Sequence, residues 1–327
     1  MRGVFLVLLG SMVYACAAEK LKIARPTEYT GLRDASAAVA VSSNLFIVAD
    51  DEKNTLRLYS TEHAGPPLKE FDMGAFLEVT GKSPEADLEG AALLGNRAFW
   101  IGSHGRNKDG KDRPNRRRFF ATDIAVTNGE VTLSPVGKPC KRLLDDLLHD
   151  SRFAEFHLAE ASTRAPKEPN ALNIEGLSAT PQGYLLLGFR NPTPHGKALF
   201  IPLLNPNEAV EGKAARFGAA TLLDLDGLGI RDVAYFDGAY FIIAGSWHSG
   251  GKFQFYRWAG ADSKPKRFEV KHLGDYSPEA IIIYPQNGFH EIQILSDDGN
   301  RPVDGIPGKE FGDSAPKTFR SFWLTDR

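Results

Sequence analysis

Residues 86–105 read ADLEGAALLGNRAFWIGSHG and residues 171–191 read ALNIEGLSATPQGYLLLGFRN. Glu89 and Glu175 each precede a glycine and an apolar run. A second apolar run then reaches Gly102 or Gly188, thirteen positions after the acid. The same shape returns in GIRDVAYFDGAYFIIAGSWHSGG, where Asp232 takes the acid position and Gly245 follows thirteen residues later. A further copy, YSPEAIIIYPQNGFHEIQILSDDGN, is headed by Glu279, and a weaker one, LRDASAAVAVSSNLFIVADDEKNTLRLYS, by Asp34. If the fold gathers these acids, their repulsion must be relieved, because two charges about 6 Å apart repel by roughly 3 kcal/mol at an effective dielectric near 20. A calcium ion would do so through carboxylate, carbonyl and water oxygens, which makes Glu89, Glu175, Asp232 and Glu279 candidate metal ligands. Raised pKa values would leave some acids protonated, with Glu89 and Glu175 as candidate catalytic acids or bases. Neutralisation by Arg106 and Arg190 is a third route. A structural alternative stands beside all three: each acid accepts hydrogen bonds from backbone N–H groups of the next sheet and fastens the sheets together.

In a hairpin, the start of the first strand and the end of the second lie at the same end. The loops that leave the second strands therefore open on the face where the acids sit. They read DDEKNT, SHGRNKDGKDRPNRRR, FRNPTPHGK, SWHSGG and SDDGNRPVDG, and carry His104, Arg106, Arg190, His195, His248, Asp297 and Asp298. His104 and His248 are candidate acid/base residues, with a hydrogen-bonded rim role as the plainer reading. Arg106 and Arg190 are candidates for orienting an anionic group. The run RNKDGKDRPNRRR holds five arginines and two lysines and could clamp a polyanion. Its aspartates, proline and glycine favour a solvated loop.

The elements that must position these residues follow from the repeat. Each unit has a strand, a tight turn, a second strand, a loop and a third strand-like run: TLRLYS, RRFFATDIAV, KALFIPLL, KFQFYRWAG or KTFRSFWLTD. The first two strands are apolar on both faces, as expected of strands buried between neighbouring sheets. Radial repetition of such sheets gives an all-β fold, a β-propeller, with five blades expected and six as the alternative. A β-sandwich is the competitor. The acids at 34, 89, 175, 232 and 279 are 55, 86, 57 and 47 residues apart. The long gap contains KRLLDDLLHDSRFAEFHLAEA, residues 141–161, where leucines at helical spacing predict an amphipathic helical insertion. The stretch LKIARPTEY is expected to supply the missing strand of the last blade and close the ring.

Composition narrows the function classes. The 327 residues are 42% hydrophobic and 24% charged, enough for a sizeable core, and 32 glycines with 20 prolines suit short strands and many turns. A formal net charge of −2 gives no electrostatic reason to expect nucleic acid or an anionic membrane surface. MRGVFLVLLGSMVYACAAEK has the basic start, apolar stretch and small-residue end of a secretory signal, so residues 1–17 are expected to be a leader and residues 20–327 a single periplasmic or secreted domain. The apolar run is too short to span a bilayer. Lipidation at Cys16 is the alternative. Cys140 would then be the remaining cysteine, which excludes a disulfide framework, and its context SPVGKPCKRLL favours a structural thiol over a nucleophile. The expected partner is a small-molecule or anionic substrate acting on a monomer. No G-x-S-x-G, H-E-x-x-H, C-x-x-C or G-x-x-x-x-G-K-[ST] motif is present.

DLEGAAL with AFWIGSHG, NIEGLS with LLLGFRNP, and SPEAI with ILSDDG resemble a family of bacterial secreted propellers of unknown function, over roughly residues 25–325. More distantly they are similar to the esterase-like domain of phytase-related propellers, whose repeats open with an acid-Glu-Gly-aliphatic motif. That resemblance implies a phosphoester or ester substrate and calcium. The chain departs from it in having no run of tandem aspartates in every repeat.

Overall fold

The computed structural model describes residues 19–50, 52–248, 250–260, 263–303, 306–307 and 317–326. The leader and Cys16 lie outside the described residues. Strand β1 is Lys20–Thr30. Next come β2 (Ala35–Ala40), β3 (Leu45–Asp50), β4 (Thr55–Ser60) and β5 (Lys69–Asp72), then β6 (Leu88–Leu94), β7 (Arg97–Gly102), β8 (Phe119–Thr127) and β9 (Glu130–Cys140). They are followed by β10 (Asn173–Ala179), β11 (Leu185–Asn191), β12 (Ala198–Leu203) and β13 (Thr221–Leu223). The last are β14 (Gly229–Phe236), β15 (Ala239–Gly245), β16 (Phe253–Trp258), β17 (Lys266–Val270), β18 (Pro278–Ile283), β19 (Glu291–Ser296), β20 (Pro302–Val303), β21 (Ile306–Pro307) and β22 (Thr318–Thr325).

The protein is all-β and propeller-like. β2–β5, β6–β9 and β10–β13 each form a four-stranded antiparallel sheet in chain order. An eight-stranded sheet has two four-stranded halves, β14–β17 and β18-β19-β22-β1, joined where Lys20 and Leu21 pair in parallel with Glu269 and Val270 of β17. The expected closure is present. β1 runs antiparallel to β22, from Lys22 opposite Thr325 to Thr30 opposite Thr318, so the first strand of the chain completes the sheet made by its last. The first strands touch in ring order: β2, β6, β10, β14, β18 and back to β2.

These inner strands form because their residues are apolar on both faces, and every residue of β15 is buried. The Asp237-Gly238 turn that joins β14 to β15 has φ of 41° and 79°, as a two-residue hairpin turn of this hand requires. Five apolar clusters fill the spaces between consecutive sheets. One packs Phe99 and Phe119 against Leu177 and Leu187, and another packs Phe241 and Phe268 against Ile281 and Phe322. The insertion at 141–161 is helical but broken. An α-turn at Leu143–Leu148, a 3-10 segment at Ser151–Phe156 and a turn at Leu158–Ala161 bury Leu143, Leu147, Phe153, Phe156 and Leu158 in the cluster between the second and third sheets. Asp150 caps the middle piece, and His157 breaks the path with φ of 50°. Cys140, the last residue of β9, is buried, and burial pushes its thiol up, in keeping with a structural role. No helix among the described residues is long and apolar enough to cross a membrane.

Asp232 is one fastening between sheets. Its Oδ1 accepts the Val233 N–H at 2.8 Å, and its Oδ2 accepts the Ile281 N–H of β18 at 2.7 Å. Truncation would leave a buried backbone donor unsatisfied, which costs about 1–3 kcal/mol per group. Asp232→Ala should therefore lower the unfolding free energy by roughly 2–4 kcal/mol in urea titration, and Asp232→Asn by less, because one acceptor oxygen remains. A change under about 0.5 kcal/mol for the alanine variant would show that the carboxylate does not hold these strands together.

Candidate active site

Each of the five inner strands carries one extra residue relative to its partner. The register shifts fall between Ala35 and Ala37, Leu88 and Gly90, Ile174 and Gly176, Ile230 and Asp232, and Pro278 and Ala280. The extra residues are Ser36, Glu89, Glu175, Arg231 and Glu279. A bulge leaves one residue unpaired and re-aims its side chain. All five line one cavity of about 1460 Å³ at the hub of the ring.

Their order around the hub decides their electrostatics. Arg231 stands between Glu175 and Glu279. Its Nε lies 2.8 Å from Glu279 Oε2 and 3.1 Å from Glu175 Oε2, and its Nη2 pairs with Glu279 Oε1. Glu175 Oε1 also accepts from Arg190 Nη1 at 2.7 Å and from Asn173 Nδ2 at 2.8 Å. Arg190 is itself the extra residue of a second bulge, on β11, and its Nε donates to the Ser246 carbonyl at 3.3 Å. Burial and the nearby Arg190 charge push Arg231 down to about 10, which leaves it cationic at neutral pH. Just before β6, Asp87 accepts from Arg116 Nη1 at 2.8 Å, and Arg116 Nη2 pairs with Glu85. Burial nevertheless pushes Asp87 above the usual carboxylate range.

Glu89 has no such partner. Its ring neighbours are Ser36 and Glu175, neither of which is a cation, and none of the hydrogen bonds or ion pairs among the described residues reaches it. It is half-exposed to the cavity yet surrounded by protein, and burial, together with the Glu175 and Asp87 charges, raises it well above the usual glutamate range. Arg231 and Arg190 oppose the shift without cancelling it. Two more acceptors are left open beside it. Glu175 Oε2 has no well-directed donor, since the Arg231 Nε–H points at Glu279, and Asn173 Oδ1 has no partner because its amide nitrogen faces Glu175. The hub thus sets a carboxyl that holds its proton more tightly than a free glutamate beside two buried acceptors that receive no hydrogen bond, groups that a ligand bearing hydroxyl groups would satisfy on reaching them.

The structure brings together Glu89, Glu175, Glu279 and Arg190 of the sequence candidates. His248 and Asp297 border the same cavity, and the remaining candidates lie elsewhere. Asp232 turns away from the cavity to its backbone donors. His104 is buried outside the cavity lining, with φ of 57°, its Nδ1 2.8 Å from the Gly102 carbonyl; burial lowers its pKa to about 4, so the ring is neutral and does not meet a substrate at the hub. Arg106 donates to the Ser162 and Gly110 carbonyls and fixes its own loop against the insertion. His248 is exposed at the cavity rim, edge-on to Trp247 at 5.1 Å, and is not paired with His104. The basic run is largely bound into local structure: Arg118 donates to the Leu77, Glu78, Pro114 and Arg117 carbonyls, and Arg117 pairs with Asp112.

The expected calcium set does not fit. Glu175 and Glu279 are closed by guanidinium groups and Asp232 by backbone N–H groups, which leaves Glu89 alone where calcium needs six to eight oxygens. No group of three or more His, Cys, Asp or Glu among the described residues has the geometry to hold a metal ion. Sequence reasoning missed Ser36, Arg231, Arg116, Asp87 and Asn173. A signal existed in the apolar frame, since an apolar residue, the hub residue and a small residue recur as Ala35-Ser36-Ala37, Leu88-Glu89-Gly90, Ile174-Glu175-Gly176 and Pro278-Glu279-Ala280. In Ile230-Arg231-Asp232 the frame puts Arg231, not Asp232, at the hub.

Fold and site together define an all-β, propeller-like protein with a carboxyl-rich cavity where its sheets converge. The chain belongs to the family described as protein of unknown function (DUF3616), matched over residues 34–124 and 133–276. The comparison with curated proteins found no match. Among solved structures, the chain is similar to glutaminyl cyclase of Myxococcus xanthus, at 12% identity and a TM-score of 0.46 over 94% of this chain and 99% of that one. It is similar to an arabinanase of Bacillus subtilis at 12% identity and 0.43, over 91% and 98% of the two chains. It is also similar to a PQQ-bound aldose sugar dehydrogenase of Streptomyces coelicolor at 10% identity and 0.42, over 92% and 99%. None of the three bears on the chemistry of this chain.

Glu89 gives the site a pH signature. The folded protein binds the Glu89 proton more tightly than the unfolded chain, in which glutamate titrates near 4.3. The stability tied to this group is therefore fully present below about pH 4 and is lost as the pH rises through the raised folded value. Glu89→Gln keeps the shape of the protonated acid and removes the titration. Its melting temperature should match wild type at pH 4 and exceed it increasingly toward pH 8; a gap that does not widen would mean that the surroundings do not hold the proton.

Proposed function

We propose that the protein is a hydrolase that cleaves an uncharged, hydroxyl-bearing substrate at a C–O bond, an ester or a glycosidic acetal, with Glu89 as general acid. The hub we read as that of a five-bladed propeller, each half of the eight-stranded sheet counted as one blade. The observation that carries the proposal is the division of labour between neighbouring carboxyls: Glu89 lacks any cation and is raised, whereas Glu175 is held between Arg190 and Arg231. A raised carboxyl beside one held between two guanidinium groups is the arrangement expected of a general acid and its partner. Glu89 would protonate the leaving oxygen. Glu175 Oε2, buried and without a hydrogen bond, would orient and deprotonate water once the bound substrate uncovers it. The buried Asn173 Oδ1, which accepts no hydrogen bond, would receive a substrate hydroxyl that reaches it. Carboxyls outnumber guanidinium groups at the hub, and each of Arg116, Arg190 and Arg231 already faces a carboxylate. That balance favours an uncharged ester over a phosphoester. Three of the hub carboxylates are fixed by ion pairs, which supports as the second reading a preformed binding socket without turnover.

The assay pairs leaving groups. On substrates with alkyl leaving groups, Glu89→Gln should lower kcat by at least about a hundredfold, since general acid catalysis contributes about 10²–10⁴. On the corresponding 2,4-dinitrophenyl substrates the loss should be far smaller, because that oxygen departs without a proton. Ester and glycoside arms of the panel separate the two bond types, and 4-nitrophenyl phosphate tests the phosphoester reading. Equal losses on both leaving groups would remove Glu89 as the proton donor; no turnover of any member would leave the socket.

A further inference from the structure

The hub cavity does not end at its charged ring. It continues into the space between the two halves of the eight-stranded sheet, along β16, β17 and the 271–277 connection. There the lining changes character. Phe255 and Phe268, opposite each other in register, form a buried floor, while Phe253, Val270, Leu273 and Tyr276 stand half-buried along its walls. Apolar side chains that remain partly open at the top of an otherwise filled inter-sheet core mark a place built to be covered. Two cations brace the rings: the Arg231 guanidinium lies 5.7 Å from the Phe253 ring centre and that of Arg320 lies 4.4 Å from Tyr276. Glu279 and Asp275 border the same arm and are already paired with Arg231 and Arg320, so the cations beside the rings are neutralised, while Lys252 stands exposed at the cavity lining next to Phe253. At about 1460 Å³ the cavity exceeds the roughly 300–1,000 Å³ typical of small-molecule sites, so it has room for a ligand with two distinct ends.

We infer that this arm is a subsite for an uncharged aromatic ring carried by the ligand whose polar, hydroxyl-bearing end sits at the hub. This rests on the reading of the hub as the reacting end and adds the other half of the substrate: an aryl ester or aryl glycoside in place of a wholly polar molecule. The ring enters beside Arg231, over Phe255 and Phe268, with Leu273 and Val270 closing on its edges.

Ring binding can be measured apart from chemistry. 4-Fluorobenzyl alcohol, followed by fluorine NMR, should broaden in the presence of the full-length protein, and 4-fluorobenzoate, the same ring with a charge, should bind about tenfold more weakly or worse. Leu273→Asp places a charge in the wall and Leu273→Trp fills the space; each should weaken the neutral probe by about tenfold, and two opposite substitutions at a half-buried loop position guard against a mere folding defect. Equal affinity for wild type and both variants, or a preference for the benzoate, overturns the subsite. Ring binding without turnover of any substrate upholds the subsite and removes the hydrolase reading. Turnover of methyl esters or methyl glycosides, together with ring affinity unchanged in Leu273→Trp, removes the subsite and leaves that reading in place.

Discussion

Arg231 sits between Glu175 and Glu279, buried, at the centre of a ring that would otherwise bring like charges together. Removing one partner from a buried ion network leaves an uncompensated charge, a loss of about 3–5 kcal/mol in comparable cases. The fold makes specific room for this side chain. A Cβ on Gly245 would lie 2.8 Å from Arg231 Cγ, so the glycine at the end of β15 is the space in which the arginine stem runs. Because Arg231 is committed to its two neighbours, Glu89 stays uncompensated, and the site's one raised, partnerless carboxyl is a product of ring order.

The same geometry explains how adjacent residues take opposite duties. At the bulge in β14, Arg231 points into the cavity and Asp232 points into the seam with β18. One is part of the hub; the other is part of the joint between sheets. The bulged hub residues come from the three four-stranded sheets and the two halves of the eight-stranded one, fixed by strands whose apolar faces are buried on both sides. Groups far apart in the chain are thus held on a rigid frame.

Much of this was legible in the residues. The hairpins, the third strands, the closing strand at residues 20–30 and the convergence of Glu89, Glu175 and Glu279 all follow from apolar runs and turn signals. The register did not follow from the acids. The repeated spacing of thirteen joins positions that are not equivalent: Gly102 pairs with Leu88, Gly188 with Gly176, and Gly245 with Gly229. The turn between β10 and β11 is longer than the two-residue turns of the other two hairpins, and Asp232 stands one position past the hub residue, so one spacing covers three registers. Hence Asp34 stood in for Ser36, and Asp232 for Arg231. His104 was misread because a left-handed backbone folds it inward, a feature no side-chain type announces. The calcium reading overlooked Arg231 and Arg116, whose guanidinium groups relieve the repulsion that a metal was invoked to relieve.

The pairing of β1 with β22 has a consequence for the order of assembly. Lys20–Thr30 is made long before its antiparallel partner, Thr318–Thr325. Through nearly the whole of synthesis that early strand has no antiparallel neighbour to complete. The ring closes, and Glu279 is drawn up to Arg231, only when the far end of the chain arrives. A polypeptide stopped short by even its final strand would hold most of the residues of the site without the site itself.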